Sequence, residues 1–147
     1  MNTNKIKFGW LLIIVLSVLC WLMLGAFSCN GSCAELNPKF VSAIHQVETG
    51  GREGAIVGDN GAALGPLQIH RVYWIDSGIK GNYLQCTNLA YSTKVMAAYL
   101  NRYCPAAVSN SNYEIMARIH NGGPKGPTKK ATDKYWSRVR SKLDASK

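Results

Sequence analysis

Glu48 and Asp59 bracket the start of a glycine-rich stretch, Ile44 to Ile69, and their surroundings assign them different chemistry. Glu48 shares a three- and four-residue spacing with Val41 and Ile44, which puts it on the apolar stripe of a helix ended by Gly50-Gly51. In the last turn the helix dipole presents negative charge. Burial and dipole both disfavour a carboxylate, so the spacing predicts a raised pKa and a proton retained near neutral pH. Such a group can protonate a leaving oxygen. Asp59, flanked by Gly58 and Asn60-Gly61, sits at a tight turn where water keeps a carboxylate ionised. The position also suits an ordinary turn aspartate; its spacing from Glu48 makes it a candidate nucleophile or charge stabiliser. Two carboxylates in unlike environments are the pairing that glycoside hydrolysis requires.

Gln68, Tyr73 and Trp74 follow on the next element. Aromatic faces and amides bind sugars, so these three suit the floor of a saccharide cleft, although aromatics at such positions also suit a core. His120, Asn121 and Gly122 end a later helix with polar groups beside exposed backbone, which fits a cleft wall or a plain helix stop. His45, His70 and His120 are widely spaced and form no metal-ligand pattern. The chemistry read here needs neither metal nor organic cofactor.

These side chains must be positioned by short elements. A first helix begins at Asn37 with Pro38 in the favoured first position. Ala55 to Gly58 and Ala62 to Leu64 read as two strands of a small hairpin around Asn60-Gly61. A second helix is expected over Leu67 to Asp76, stopped at Gly78. A third runs from Asn88 to Tyr103 with Val95, Met96, Tyr99 and Leu100 on one stripe. The fourth spans Asn112 to His120, with Ile115, Met116 and Ile119 inward. The last starts near Thr132 and carries Tyr135, Trp136, Val139 and Leu143. Helices with one hairpin beside the first of them make an α+β domain.

The 147 residues hold one such domain and an export segment. Lys5 and Lys7 precede an uncharged apolar run from Trp10 to Phe27. That order reads as a secretory signal or a retained N-terminal anchor over residues 1–34, with the domain over 35–147 exported in either case. Cleavage after Ser32-Cys33-Ala34 starts the mature chain at Glu35, whereas an earlier cut keeps Cys29 and Cys33. Cys86 and Cys104 flank the third helix, whose ends stand roughly 24 Å apart, against the ~7 Å limit of a disulfide. They are therefore not each other's partners; they pair with Cys29 and Cys33 or remain buried thiols.

The net charge is +9, and Lys125 to Lys147 carries eight Lys/Arg against two acids. A face of that kind favours polyanions such as an anionic membrane or an acidic cell wall, or is simply a solvated helix. No RNA-binding signature, zinc spacing or phosphate loop accompanies it, which argues against a nucleic-acid partner.

Three stretches carry a family resemblance: QVETGG at 46–51, GPLQIHRVYWIDSG at 65–78, and ARIHNGGPKG at 117–126 followed by Tyr135-Trp136. From about Phe40 to Val139 the chain resembles the invertebrate-type, destabilase-like lysozymes. The resemblance implies a lysozyme-like fold and cleavage of the β-1,4 bond between peptidoglycan sugars. It also implies that Glu48 is the acid and Asp59 the second carboxylate. The chain departs from the pattern in its few cysteines and in a segment before GPLQI that is one residue shorter. Ala62-Ala63-Leu64 and His70 stand where members that cleave isopeptide bonds carry a serine and a lysine, so that activity is not implied.

The reading is an exported muramidase acting on peptidoglycan or a related amino-sugar glycan. Two alternatives stand beside it. In a lytic transglycosylase-like enzyme Glu48 serves alone; in a non-catalytic glycan-binding module the fold binds walls without cleaving them.

Overall fold

The computed structural model describes residues 35–145. The apolar run, Cys29 and Cys33, and the export reading built on them lie outside the described residues. Helix α1 (Pro38–Thr49) starts where Asn37 caps it: the side-chain oxygen accepts the Lys39 N–H at 2.9 Å and Pro38 fills the first helical position. It stops at Gly50, whose left-handed φ of 68° lets its N–H bond back to the Gln46 carbonyl. Phe40, Ile44 and Val47 recur on the buried face.

Three two-residue strands follow, β1 (Val57–Gly58), β2 (Ala63–Leu64) and β3 (Ile69–His70), antiparallel in that order. Gly58 pairs with Ala63, and Ala63 pairs in turn with His70, so these three form one row across the sheet. The expected hairpin is therefore a three-stranded sheet, and the expected helix start at Leu67 is corrected. Gly65 and Gln68 both take left-handed φ, 79° and 48°, which turns the chain back and feeds Ile69–His70 onto β2. Helix α2 (Arg71–Ser77) begins only after that and ends at left-handed Gly78, as read from the sequence.

A 3₁₀ turn (Tyr83–Thr87) leads into α3 (Leu89–Tyr103), whose stripe of Val95, Met96, Tyr99 and Leu100 is buried as expected. The short α4 (Pro105–Ser109), unforeseen, starts at Pro105 directly after Cys104. Helix α5 (Tyr113–Gly122) buries Met116 and Ile119. Two 3₁₀ turns (Gly126–Thr128 and Lys130–Thr132) lead to α6 (Asp133–Ala145), which lays Tyr135 and Val139 against α1 and α5.

Phe40, Ile44, Leu67, Ile69, Met96, Leu100, Met116 and Val139 are fully buried at the centre. Each such side chain stabilises the fold by about 1.5–3 kcal/mol relative to exposure. Cys86 and Cys104 are buried free thiols, and burial pushes each up to about 11. The fold is thus α+β, with the small sheet the next regular element after α1 in chain order.

Candidate active site

Glu48 sits in the last turn of α1, its side chain 18% exposed. Two distant helices reach it. From α6 the Tyr135 hydroxyl donates to Oε1 at 2.6 Å, and from α5 His120 Nε2 lies 3.5 Å from the same oxygen. Behind His120, the Tyr73 hydroxyl stands 3.2 Å from Nδ1, and the Tyr73 ring stacks on Tyr99 with centroids 3.6 Å apart. Arg138, one turn beyond Tyr135, donates to the Val47 carbonyl at 2.6 Å. Its cation thereby caps the negative end of α1.

These contacts correct the sequence expectation for Glu48. Burial raises its pKa, but the His120 hydrogen bond and charge, the Tyr135 hydrogen bond and the Arg138 charge together outweigh burial, and the carboxyl is held below its usual range. Burial and the helix dipole were readable from local spacing. The opposing groups come from α5 and α6, which only the tertiary fold brings near.

Asp59 opens the 3₁₀ turn Asp59–Gly61 between β1 and β2. Asp59 and Asn60 both adopt left-handed backbone, φ 49° and 53°, a region that Asp and Asn tolerate better than most residues. Asp59 follows Gly58 in the row that ends at His70, and His70 Nε2 reaches across to Asp59 Oδ2 at 3.2 Å. Both side chains are open to water, 43% exposed for His70 and 66% for Asp59.

The residues expected on a saccharide floor divide into several roles. Gln68 turns its amide inward, donating to the carbonyls of Gly65 at 2.8 Å and Ile56 at 3.3 Å, so it braces the sheet loop. A Cβ at Gly58 would meet the Gln68 amide, so a side chain there would have to displace that brace. Tyr73 is buried behind His120. Trp74 is half-buried, its indole N–H donating to the Tyr91 hydroxyl at 3.0 Å. His120 is itself buried and faces Glu48, Asn121 is exposed, and the Gly122 carbonyl accepts from Lys129 Nζ at 2.6 Å.

Thus Glu48 is bonded to Tyr135 and faced by His120, which Tyr73 holds from behind, so the four side chains form one group. Asp59 is grouped with His70 on the sheet, and Gln68 and Trp74 bond elsewhere. Tyr135 and Arg138 join the site without having been singled out for it. The one available signal was a tyrosine hydroxyl on the apolar face of α6, where a buried O–H needs a partner.

A helical domain with a three-stranded sheet, a nearly buried glutamate at a helix end and an aspartate on the sheet turn defines the lysozyme-like class. The chain belongs to the Destabilase family, whose model matches residues 38–142. Lysozyme 1 of Crassostrea virginica is 42% identical over 84 residues, covering 56% of this chain and 46% of that protein. The match thus spans about half the length of that oyster relative. Meretrix lusoria lysozyme is 34% identical over 107 residues, covering 71% of this chain and 88% of that protein. The crystal structure of Meretrix lusoria lysozyme in complex with Aeromonas hydrophila PliI superposes with a TM-score of 0.63. It is 30% identical and covers 74% of this chain and 91% of that one. Tapes japonica lysozyme gives a TM-score of 0.62 at 30% identity, covering 73% and 90%.

Proposed function

We propose that this chain is a muramidase that hydrolyses the β-1,4 bonds of peptidoglycan, with Glu48 as general acid and Asp59 as the second carboxylate. The observation that carries the reading is the Glu48 carboxyl, nearly buried and gripped on one oxygen in a chain whose relatives are named lysozymes. Glu48 gives its proton to the glycosidic oxygen, which leaves with the electron pair of its bond to C1. Asp59 attacks C1 or faces the positive charge that develops there. Water then completes the reaction and leaves a new reducing end. Because Glu48 must be protonated to act and its pKa is depressed, activity should fall with rising pH earlier than a free glutamic acid would dictate. An acidic optimum follows.

A second reading is favoured by one contact. Asp59 is already engaged by His70, which suits a lytic transglycosylase-like enzyme in which Glu48 serves alone. Mass spectrometry of digested peptidoglycan separates the two. New reducing ends, lost in Asp59→Asn, support the paired carboxylates; 1,6-anhydro ends unaffected by Asp59→Asn would replace that mechanism with the single acid. Wall binding without any new ends would leave only a glycan-binding module.

We place the domain outside the cytoplasm, exported by the Trp10–Phe27 run as a cleaved signal or an anchor. Among the described residues no helix is long and apolar enough to cross a membrane. The partner is then the wall itself, an anionic surface matched to the basic C-terminal segment.

A further inference from the structure

Both contacts on Glu48 fall on one oxygen. The Tyr135 hydroxyl donates to Oε1 at 2.6 Å, and His120 Nε2 faces that same atom at 3.5 Å. Tyr135 keeps its proton, because burial and the neighbouring Glu48 charge push its ionisation well above the usual range. The His120 ring is fixed from behind. Tyr73 meets it edge-on with centroids 5.4 Å apart, and the Tyr73 hydroxyl is 3.2 Å from Nδ1. Tyr73 too is buried and holds its proton. When that hydroxyl donates to Nδ1, the ring proton belongs on Nε2, facing Glu48.

We propose that Tyr135 and His120 are positioning residues that decide which oxygen of Glu48 carries the transferable proton. With Oε1 accepting from Tyr135 and faced by His120, the proton resides on Oε2, the oxygen left to meet a glycosidic bond. The inference rests on the muramidase reading for its catalytic consequence. When Oε2 releases its proton, the new carboxylate already has donors on Oε1, so the leaving group is protonated by a more willing acid. The groups facing Glu48 are His120 from α5, Tyr135 and Arg138 from α6, and Tyr73 from α2. Arg52 closes the same helix end by donating from Nε to the Thr49 carbonyl.

The competing arrangement puts the proton on Oε1 and has it donated to an unprotonated Nε2. The two differ in sign. If His120 and Tyr135 donate, removing either raises the Glu48 pKa; if Glu48 donates to His120, removing His120 lowers it.

Titration of ¹³C-labelled glutamate carboxyls in the full chain reads this directly, with the Glu48 signal assigned by its loss in Glu48→Gln. Tyr135→Phe keeps the ring and removes the hydroxyl, and should raise the Glu48 pKa by about one pH unit. His120→Gln should raise it by less, since an amide donor remains, and stands in if Tyr135→Phe fails to fold by near-UV circular dichroism. The alkaline limb of wall lysis should move up by the same interval in each variant, with kcat lowered and KM held. An unchanged or lowered pKa overturns the assignment, as does a raised pKa with an unmoved alkaline limb. Full lysis by Glu48→Gln sinks the muramidase reading instead, and the titration still decides which oxygen the donors hold.

Discussion

At the scale of single residues, Glu48 is governed by partners 72 and 87 positions away along the chain, His120 and Tyr135. Its depressed pKa links the site to stability. A carboxyl whose folded pKa lies below its unfolded value contributes stability that is complete above the unfolded value and is lost as pH falls through the folded one. The melting-temperature difference between wild type and Glu48→Gln should therefore be largest near neutral pH and shrink on acidification below about pH 5. A pH-independent difference would mean the carboxyl is not held by donors. Glu48 and Asp59 were legible as candidates because turn chemistry and helical spacing are local. Tyr135 was legible only as a core residue, and the direction of the Glu48 shift was misread, since its decisive donors are nonlocal.

At the scale of elements, the Gly65–Gln68 turn decides whether the chain makes a sheet or a helix. Gly65 has a φ of 79°, and a Cβ there would overlap the Cys86 carbonyl, which is backbone and cannot swing aside. Gly65→Ala should destabilise the protein by about 2–5 kcal/mol from backbone strain and overpacking combined, as measured by urea unfolding. A loss under 1 kcal/mol would indicate that the turn relaxes freely. By contrast, Asn37→Ala removes one exposed cap from α1 and should cost about 1 kcal/mol. The helices α1, α3 and α5 were readable to within two residues because caps, stops and apolar stripes agree there. The third strand was not. Pro66, Leu67 and Ile69 resemble a helix start, and nothing local announces that Gln68, a non-glycine residue, takes left-handed backbone. Helix α4 was missed for a related reason, since five residues are too few for periodicity to show.

At the scale of the whole molecule, the basic segment from Lys125 onward is not one uniform cationic face. Lys134, Arg138 and Lys142 are all exposed, but Arg138 is tied down by its hydrogen bond to the Val47 carbonyl beside the site, which leaves the two lysines as the cations of that row unconnected with it. Exposed charges are screened over ~8 Å at physiological ionic strength and ~3 Å at 1 M. If the lysines concentrate the enzyme on anionic walls, whole-cell lysis should fall with added salt while cleavage of a neutral chito-oligosaccharide barely changes. The double variant Lys134→Gln/Lys142→Gln should flatten the first dependence and leave the second alone; equal salt sensitivity on both substrates would move the effect into the active site. The central claim is that the half-buried Glu48 carboxyl performs the acid step in this domain. Its most direct test is the release of new reducing ends from purified peptidoglycan at acidic pH by wild type and Glu48→Gln side by side. The account predicts a rate loss of about 10²–10⁴-fold in a variant that folds as the wild type does. Equal release by the two proteins, or none by the wild type, would contradict it.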